Sequence, residues 1–324
     1  AVYQDSTNAT GSLGVTPNSA TVVQDGGAGG VSINGIAQFY TGDGTQAGND
    51  TDITQSAGSA NRSYIGAPAT GNGFDMGAVL QEGWGNDIDI DQSGRGARIG
   101  YSRQLGNENS SDIDQVGNGN RINNVQQVGD RNSNILSFNG EDNGGSLTGA
   151  AGSVGAPNSG VSQTGDDNAV EMTVTASYTE FGFRQTGDRN SAENISITGD
   201  DNKLGVNQNG NDNLLDLATV AGNGNNVGVD QQGDTNLASL SITGDDNGSG
   251  LGFSDDAQTA AGSLASGLVQ QWGDLNDASL TVSGNTNAFT LYSDGDNNSI
   301  TGTMTGNSHQ VAVVQTGNMN VASF

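Results

Sequence analysis

Apolar and polar positions alternate with a period of two in short, evenly spaced runs. In the run from Asn236 to Ile242, residues Asn236, Ala238, Leu240 and Ile242 share one face while Leu237, Ser239 and Ser241 share the other. Asn276, Ala278, Leu280 and Val282 repeat the pattern, as do Asn287, Phe289, Leu291 and Ser293, and then His309, Val311, Val313 and Gln315. Strict alternation over such short runs predicts β-strands of about six residues. Each run ends on Gly-x-x-Asn, and glycine and asparagine both tolerate the positive φ of a tight reversal.

The runs belong to one repeat. The unit Gln-x-Gly-x-x-Asn occurs at Gln81-Gly83-Asn86, Gln104-Gly106-Asn109, Gln115-Gly117-Asn120, Gln127-Gly129-Asn132 and Gln163-Gly165-Asn168. It recurs at Gln185-Gly187-Asn190, Gln208-Gly210-Asn213, Gln231-Gly233-Asn236, Gln271-Gly273-Asn276 and Gln315-Gly317-Asn320. Between these lie turns with another residue in the glutamine slot, at Phe138-Gly140, Ile197-Gly199, Val220-Gly222, Ile242-Gly244, Val282-Gly284 and Ser293-Gly295. Gln92-Gly94-Ala97 and Met304-Gly306-His309 are degenerate copies. The glycines advance by 11 or 12 residues, so the full period is 22 to 23 residues in two similar halves. Where glycine is missing near 176 the phase still holds, with a turn expected at Ala176 and Thr179.

Two strands joined by tight arcs cannot bury their apolar faces alone. Stacking the next pair at about 4.8 Å satisfies both backbone ladders. The expected fold is therefore all-β: a β-solenoid of stacked two-strand rungs, 22–23 residues per rung, amyloid-like and cross-β. Buried Gln and Asn are costly unless paired, and Gln208 and Gln231 share the inward parity of Val206 and Val229. Equivalent amides in successive rungs are thus expected to hydrogen-bond up and down the stack.

Organisation follows from where the rhythm breaks. Residues 81–324 carry the regular repeat, with inserts near 144–160 and 248–267 expected to be surface loops at turns. Residues 1–80 carry a weaker signal (Gln4, Gln24, Gln38, Gln55, and Gly58 with Asn61), expected to be an irregular end of the stack or a partly flexible segment.

Composition narrows function. The 324 residues include 53 glycines and no cysteine, with 9 basic and 36 acidic residues and a net charge of −27. Such acidity argues against nucleic acid, whose phosphates need Lys and Arg. No apolar run approaches the roughly 20 residues needed to span a bilayer. A start at Ala1 is expected of a secreted product whose leader has been removed. Residues after the turn glycines run Asp188, Asn211, Asp234 on one edge and Asp200, Asn223, Asp245 on the other. Stacked carboxylates about 5 Å apart repel by roughly 1 kcal/mol even in water, so interposed asparagine reads as charge management, with Arg189 expected one layer from Asp212.

Catalytic chemistry has little to work with. His309 is the one histidine, in an asparagine slot, and Lys203 is the one lysine. Serines and aspartates fall on the repeat lattice with no base to activate them. No cofactor or metal site is expected: the calcium-binding nonapeptide pattern does not repeat, although calcium held by turn carboxylates stays an alternative. An ice-binding face would want a repeated Thr array; Thr301, Thr303 and Thr305 form one row that Ser279 to Ser283 does not copy. Trp84 and Trp272 flank turn glycines and are expected to face outward.

The spacing of Gln and Asn over residues 81–324, best at Gln185 to Asn213, Asn225 to Ala238 and Gln271 to Ala278, resembles the curlin repeat of curli fimbriae. The resemblance implies a non-enzymatic, secreted subunit that polymerises at the cell surface into a functional amyloid fibre of the biofilm matrix. Its implied partners are further copies of itself, a nucleator subunit and an outer-membrane secretion pore. The resemblance carries over to the stacking amides Gln185, Asn190, Gln208, Asn213, Gln231, Asn236, Gln315 and Asn320; the repeat itself extends the expected stacking to the Gln and Asn of all ten copies, with turns at Gly83, Gly106, Gly117, Gly129, Gly187, Gly199, Gly210, Gly222, Gly233, Gly244, Gly273, Gly284, Gly295 and Gly317. The alternative is a monomeric secreted adhesin or a module binding ice, glycan or calcium.

Overall fold

The computed structural model describes residues 2–5, 18–25, 31–33, 36–41, 46–56, 63–65, 79–93, 98–193, 195–250 and 252–324. The chain is almost all β, with long parallel sheets. A 12-stranded sheet runs from Val2–Asp5 at one end to Gln310–Thr316 at the other, and an 11-stranded sheet runs from Ser110–Ser111 to Val321–Ala322. Parallel neighbours normally need a crossover connection, usually a helix. Here the crossover is a strand of the other sheet: Lys203–Asn209 in the long sheet is followed by Leu214–Ala221 in the second, then Asn226–Gln232 back in the long one.

Register is strict. Gln185 pairs with Gln208, Gln208 with Gln231 and Gln231 with Gln271, although an insert separates the last two. Shifting any strand by one residue would turn its apolar set outward. The inward sets form one continuous core between the sheets, with Phe181, Phe183, Leu204, Val206, Val220, Val229, Leu240 and Ile242 all buried. Each such side chain contributes about 1.5–3 kcal/mol on burial. Phe138 and Phe181 stack across this core with ring centroids 5.0 Å apart.

The turns differ from the sequence expectation in one respect. Positive φ falls on the glycine and on the residue before asparagine, not on asparagine itself: Gly210 has φ 133° and Asp212 φ 57°. A Cβ on Gly210 would lie 2.0 Å from the Gly233 carbonyl oxygen, so the stacked arcs exclude any other residue there. The left-handed position carries Asp212, which tolerates it, but also Arg189, Thr235, Leu275 and Met319, side chains that do not favour it. Neighbouring levels hold it through backbone bonds such as Asp212 N–H to Asp188 O at 2.9 Å.

Part of the first 80 residues joins the same sheet. Ile36–Tyr40 pairs with Val2–Asp5 on one side and Val79–Gly83 on the other, placing Gln4, Gln38 and Gln81 in one backbone register. Two small parallel sheets lie beside it, Thr21–Asp25 with Asp52–Ser56, and Val31–Ile33, Ser63–Ile65, Arg98–Ile99 and Arg121–Ile122. The expected turns at Gly58-Asn61 and Gly94-Ala97 lie outside the described residues.

The inserts are more than turn loops. Each carries a short helix, α1 (Gly149–Ser153) and α2 (Asp255–Ala261), laid on the outer face of the long sheet. A Cβ on Gly182, Gly205 or Gly228 would come within 1.8, 2.0 and 2.3 Å of insert carbonyl oxygens. The glycine column is therefore a groove that seats the first insert. Asn226 fixes it there, accepting from Ala151 N–H at 2.8 Å and donating to Thr148 O at 2.8 Å. Lys203 adds a bond to Thr148 Oγ1 while paired with Glu180 at 2.6 Å. Small Ala and Gly residues permit this close seating and hide the helices from a periodicity reading.

Candidate functional site

Two columns of buried side-chain amides run along one edge of the molecule. In the first, each glutamine Nε2 donates to the Oε1 of the next: Gln38 to Gln81, Gln81 to Gln104 and Gln104 to Gln127, each at 2.9 Å. The chain continues through Gln163, Gln185, Gln208 and Gln231 to Gln271 at 2.8–3.1 Å. Each Nε2 also reaches main-chain carbonyls, as Gln185 does to Ala169 O at 2.7 Å and Asn190 O at 3.1 Å. Ser293 interrupts the column, and its Oγ donates to Gln315 Oε1 at 3.4 Å.

The second column is asparagine from end to end. It runs Asn18, Asn49, Asn86, Asn109, Asn132, Asn168, Asn190, Asn213, Asn236, Asn276, Asn298, Asn320. Asn213 illustrates the satisfied unit. Its Nδ2 donates to Asn190 Oδ1 at 3.0 Å and Gly233 O at 2.8 Å, and its Oδ1 accepts from Asn236 N–H and Nδ2 at 3.0 and 3.1 Å. Every hydrogen-bonding group of the buried amide is used, which removes the desolvation penalty of about 1–3 kcal/mol per stranded group. The two columns point in opposite directions: glutamine donors face higher-numbered levels and asparagine donors face lower ones.

The other edge is built differently. Its glutamine slot holds Gln92 and Gln115, bonded at 3.0 Å, and then turns apolar through Phe138, Val174, Ile197, Val220, Ile242, Val282 and Met304. Gln115 therefore stacks with Gln92 and lies outside the long glutamine column; its buried Oε1 has no partner where Phe138 follows. The asparagine slot on this edge runs from Asn120 to Asn143, is broken by Thr179, resumes through Asn202, Asn225, Asn247 and Asn287, and ends at His309. Sequence reading missed Gln38, Asn18 and Asn49 as column members because their spacing is irregular.

The arc residues after each glycine form a third ladder. Asp130 N–H donates to Asp166 Oδ1 at 2.8 Å, Asp166 to Asp188 at 2.9 Å, Asp188 to Asn211 at 2.9 Å and Asn211 to Asp234 at 2.7 Å. Aspartate and asparagine exchange here because the ladder needs only an Oδ1. This corrects the expectation of alternation: Asp130, Asp166 and Asp188 are consecutive, as are Asp234, Asp274 and Asp296. One position along the arc, Arg131 pairs with Asp167 and Arg189 with Asp212, both at 2.6 Å. Hydrogen bonding to the guanidinium holds each aspartate below the usual carboxylate range.

The outer face of the second sheet divides in two. Near the N-terminal end it carries Asp87, Asp89 and Asp112, whose carboxyls burial pushes up, with further raising by neighbouring aspartates including Asp50, Asp91 and Asp114. Beyond Thr173 the same face is hydroxylic, with registered columns such as Thr219, Ser241 and Thr281, and Thr243 and Ser283. Among the described residues no group of three or more His, Cys, Asp or Glu side chains is arranged to hold a metal ion, and no helix is long and apolar enough to cross a membrane. Trp272 is 40% exposed and packs edge-on to Tyr292 at 5.4 Å, while Trp84 is half-buried.

Neither protein-family models nor curated proteins match this sequence.

Proposed function

We propose that the chain is a β-solenoid and that copies of it stack end to end into a secreted, extracellular fibre of the curli type, with a structural and not an enzymatic role. The observation that carries this reading is the unbroken asparagine column and the way it stops. At the C-terminal end Asn320 Oδ1 meets no donor among the described residues, and Gln315 Nε2 reaches only Ser299 O at 3.1 Å. The last strand, Gln310–Thr316, has a neighbour on one side only, and its inward Val311 and Val313 are half-exposed. An open parallel edge with unfinished ladders is a template for another chain, and repeated head-to-tail addition does not close. The resemblance to curlin repeats supports the same reading and adds the expectation of a nucleator and a secretion pore. Incubation of purified chain tests it: seeded, dye-binding fibres with a meridional reflection near 4.8 Å are expected, and a monomer persisting at high concentration would exclude it.

A second reading has one observation in its favour. The hydroxyl lattice beyond Thr173 is in register, exposed in part and free of charge along two columns. A monomeric module binding ice or glycan through that face would lose its ligand, and keep its stability, when Thr243, Thr281 and Ser283 are changed to lysine.

A further inference from the structure

We propose that the junction between two copies is one-sided and directional: amide ladders cross it on the Gln315/Asn320 edge and stop on the opposite edge at His309. This rests on the reading of the chain as a fibre subunit. The partner is a second copy presenting its N-terminal end. Val2–Asp5 is the far edge of the long sheet, and its backbone register puts Gln4 on the glutamine column. Asn18 heads the asparagine column, with its Oδ1 accepting from Asn49 N–H at 2.9 Å. Laying that end on Gln310–Thr316 continues the parallel sheet and brings the Asn18 position over Asn320.

Direction follows from the opposed ladders. The receiving end offers glutamine donors and an asparagine acceptor, and a continuing copy must offer the reverse. Joining two C-terminal ends would oppose Asn320 Oδ1 to its own kind and Gln315 Nε2 to its own kind, leaving buried groups unpaired. The opposite edge has no ladder to continue. His309 has no side-chain amide oxygen; its N–H donates to Asn287 Oδ1 at 2.9 Å and its carbonyl accepts from Ala288 N–H at 2.8 Å. On the incoming copy, backbone register carries that slot from the Arg121 strand back through Ser63 to Val31, neither of them an amide. Val31 sits on the Ile36–Tyr40 level, one level beyond Val2–Asp5, so no described residue of the incoming first level meets His309.

Seeded elongation with exchanged partners tests this. Wild-type monomer is expected to extend Asn320→Ala seeds roughly three- to tenfold more slowly than wild-type seeds, the worth of one or two lost hydrogen bonds. Asn320→Ala monomer should add to wild-type seeds at the wild-type initial rate, since its incoming end is intact, and slow only as its own ends accumulate. His309→Asn should leave the residual monomer unchanged, because no described group of the incoming first level reaches that slot. Matching denaturation midpoints establish that the variants fold. Equal slowing whichever partner carries Asn320→Ala, or a residual monomer changed by His309→Asn, overturns the one-sided junction while wild-type fibres keep the fibre reading. Absence of wild-type fibres overturns both.

Discussion

The two edges of the molecule solve the same packing problem with different chemistry. On one, the slots between the sheets hold buried glutamine and asparagine bonded to the levels above and below, as at Gln208 and Asn213, with Asn298 Nδ2 left unbonded. On the other, the glutamine slot holds Ile197, Val220, Ile242 and Val282, and the asparagine column is broken at Thr179. Both bury their side chains fully, so burial alone does not distinguish them. They differ in what a neighbour must be. An apolar slot accepts any side chain of suitable volume, whereas an amide slot needs a polar group in register, an amide everywhere on this edge except Ser293. The continuous edge therefore specifies alignment along the whole length, and the apolar edge contributes area.

The largest expected effect breaks the specified edge. Asn213→Leu strands Asn236 N–H, Asn236 Nδ2 and Gly233 O together. At about 1–3 kcal/mol per buried group it should destabilise the chain by roughly 4–6 kcal/mol in chemical denaturation. Ile242→Ala, at the matching depth on the apolar edge, should cost about 3 kcal/mol from lost burial and a cavity. An ordering with Ile242→Ala clearly above Asn213→Leu would refute the difference between the edges. Thr179→Asn sharpens it from the other side. Thr179 is buried, with its Oγ1 unpartnered, and restoring the amide should stabilise by about 1 kcal/mol. The smallest effects lie outside both columns. Asp212→Asn removes an exposed ion pair with Arg189 and should leave the midpoint within error at moderate salt.

Acid titration separates the aspartate-rich N-terminal part of the second sheet from the rest. The folded-state pKa values of Asp87, Asp89 and Asp112 are raised by desolvation first and by neighbouring carboxylates second. Between the unfolded and the raised folded values the native state binds more protons, so stability rises as pH falls through that window. Asp167 and Asp212 act in the opposite sense, because their lowered values make the native state lose stability as pH falls towards them. Replacing Asp87, Asp89 and Asp112 by asparagine should abolish the gain, read as the pH dependence of the urea midpoint; an unchanged profile would contradict the assignment.

Much of this was legible in the sequence because the repeat is short and its step is fixed. A residue recurring every 22 or 23 positions at constant parity has to stack on itself, and the glutamine and asparagine slots follow. Four features were hidden for physical reasons. The left-handed turn position carries Arg189, Thr235 or Leu275, whose side chains give no hint of φ near 57–59°. The arc aspartates act through Oδ1 alone, so charge patterning misdescribed them. The insert helices rest on Gly182, Gly205 and Gly228, a groove that exists only once three distant strands are aligned. Gln38 joins the main column across 43 residues, beyond any regular step.

Register across an insert is the claim on which the columns depend, and a disulfide tests it directly in a chain that has no cysteine. Thr243 and Ser283 are exposed Cα partners on adjacent strands, 40 residues apart in the chain, whereas Thr243 and Thr281 are offset by one step of the same face. Bridging requires Cα atoms no more than about 7 Å apart. Under mild oxidation Thr243→Cys with Ser283→Cys should cross-link within the monomer, read by mass and by loss of free thiol, and Thr243→Cys with Thr281→Cys should not. Equal cross-linking of both pairs, or of neither, would contradict the in-register stack.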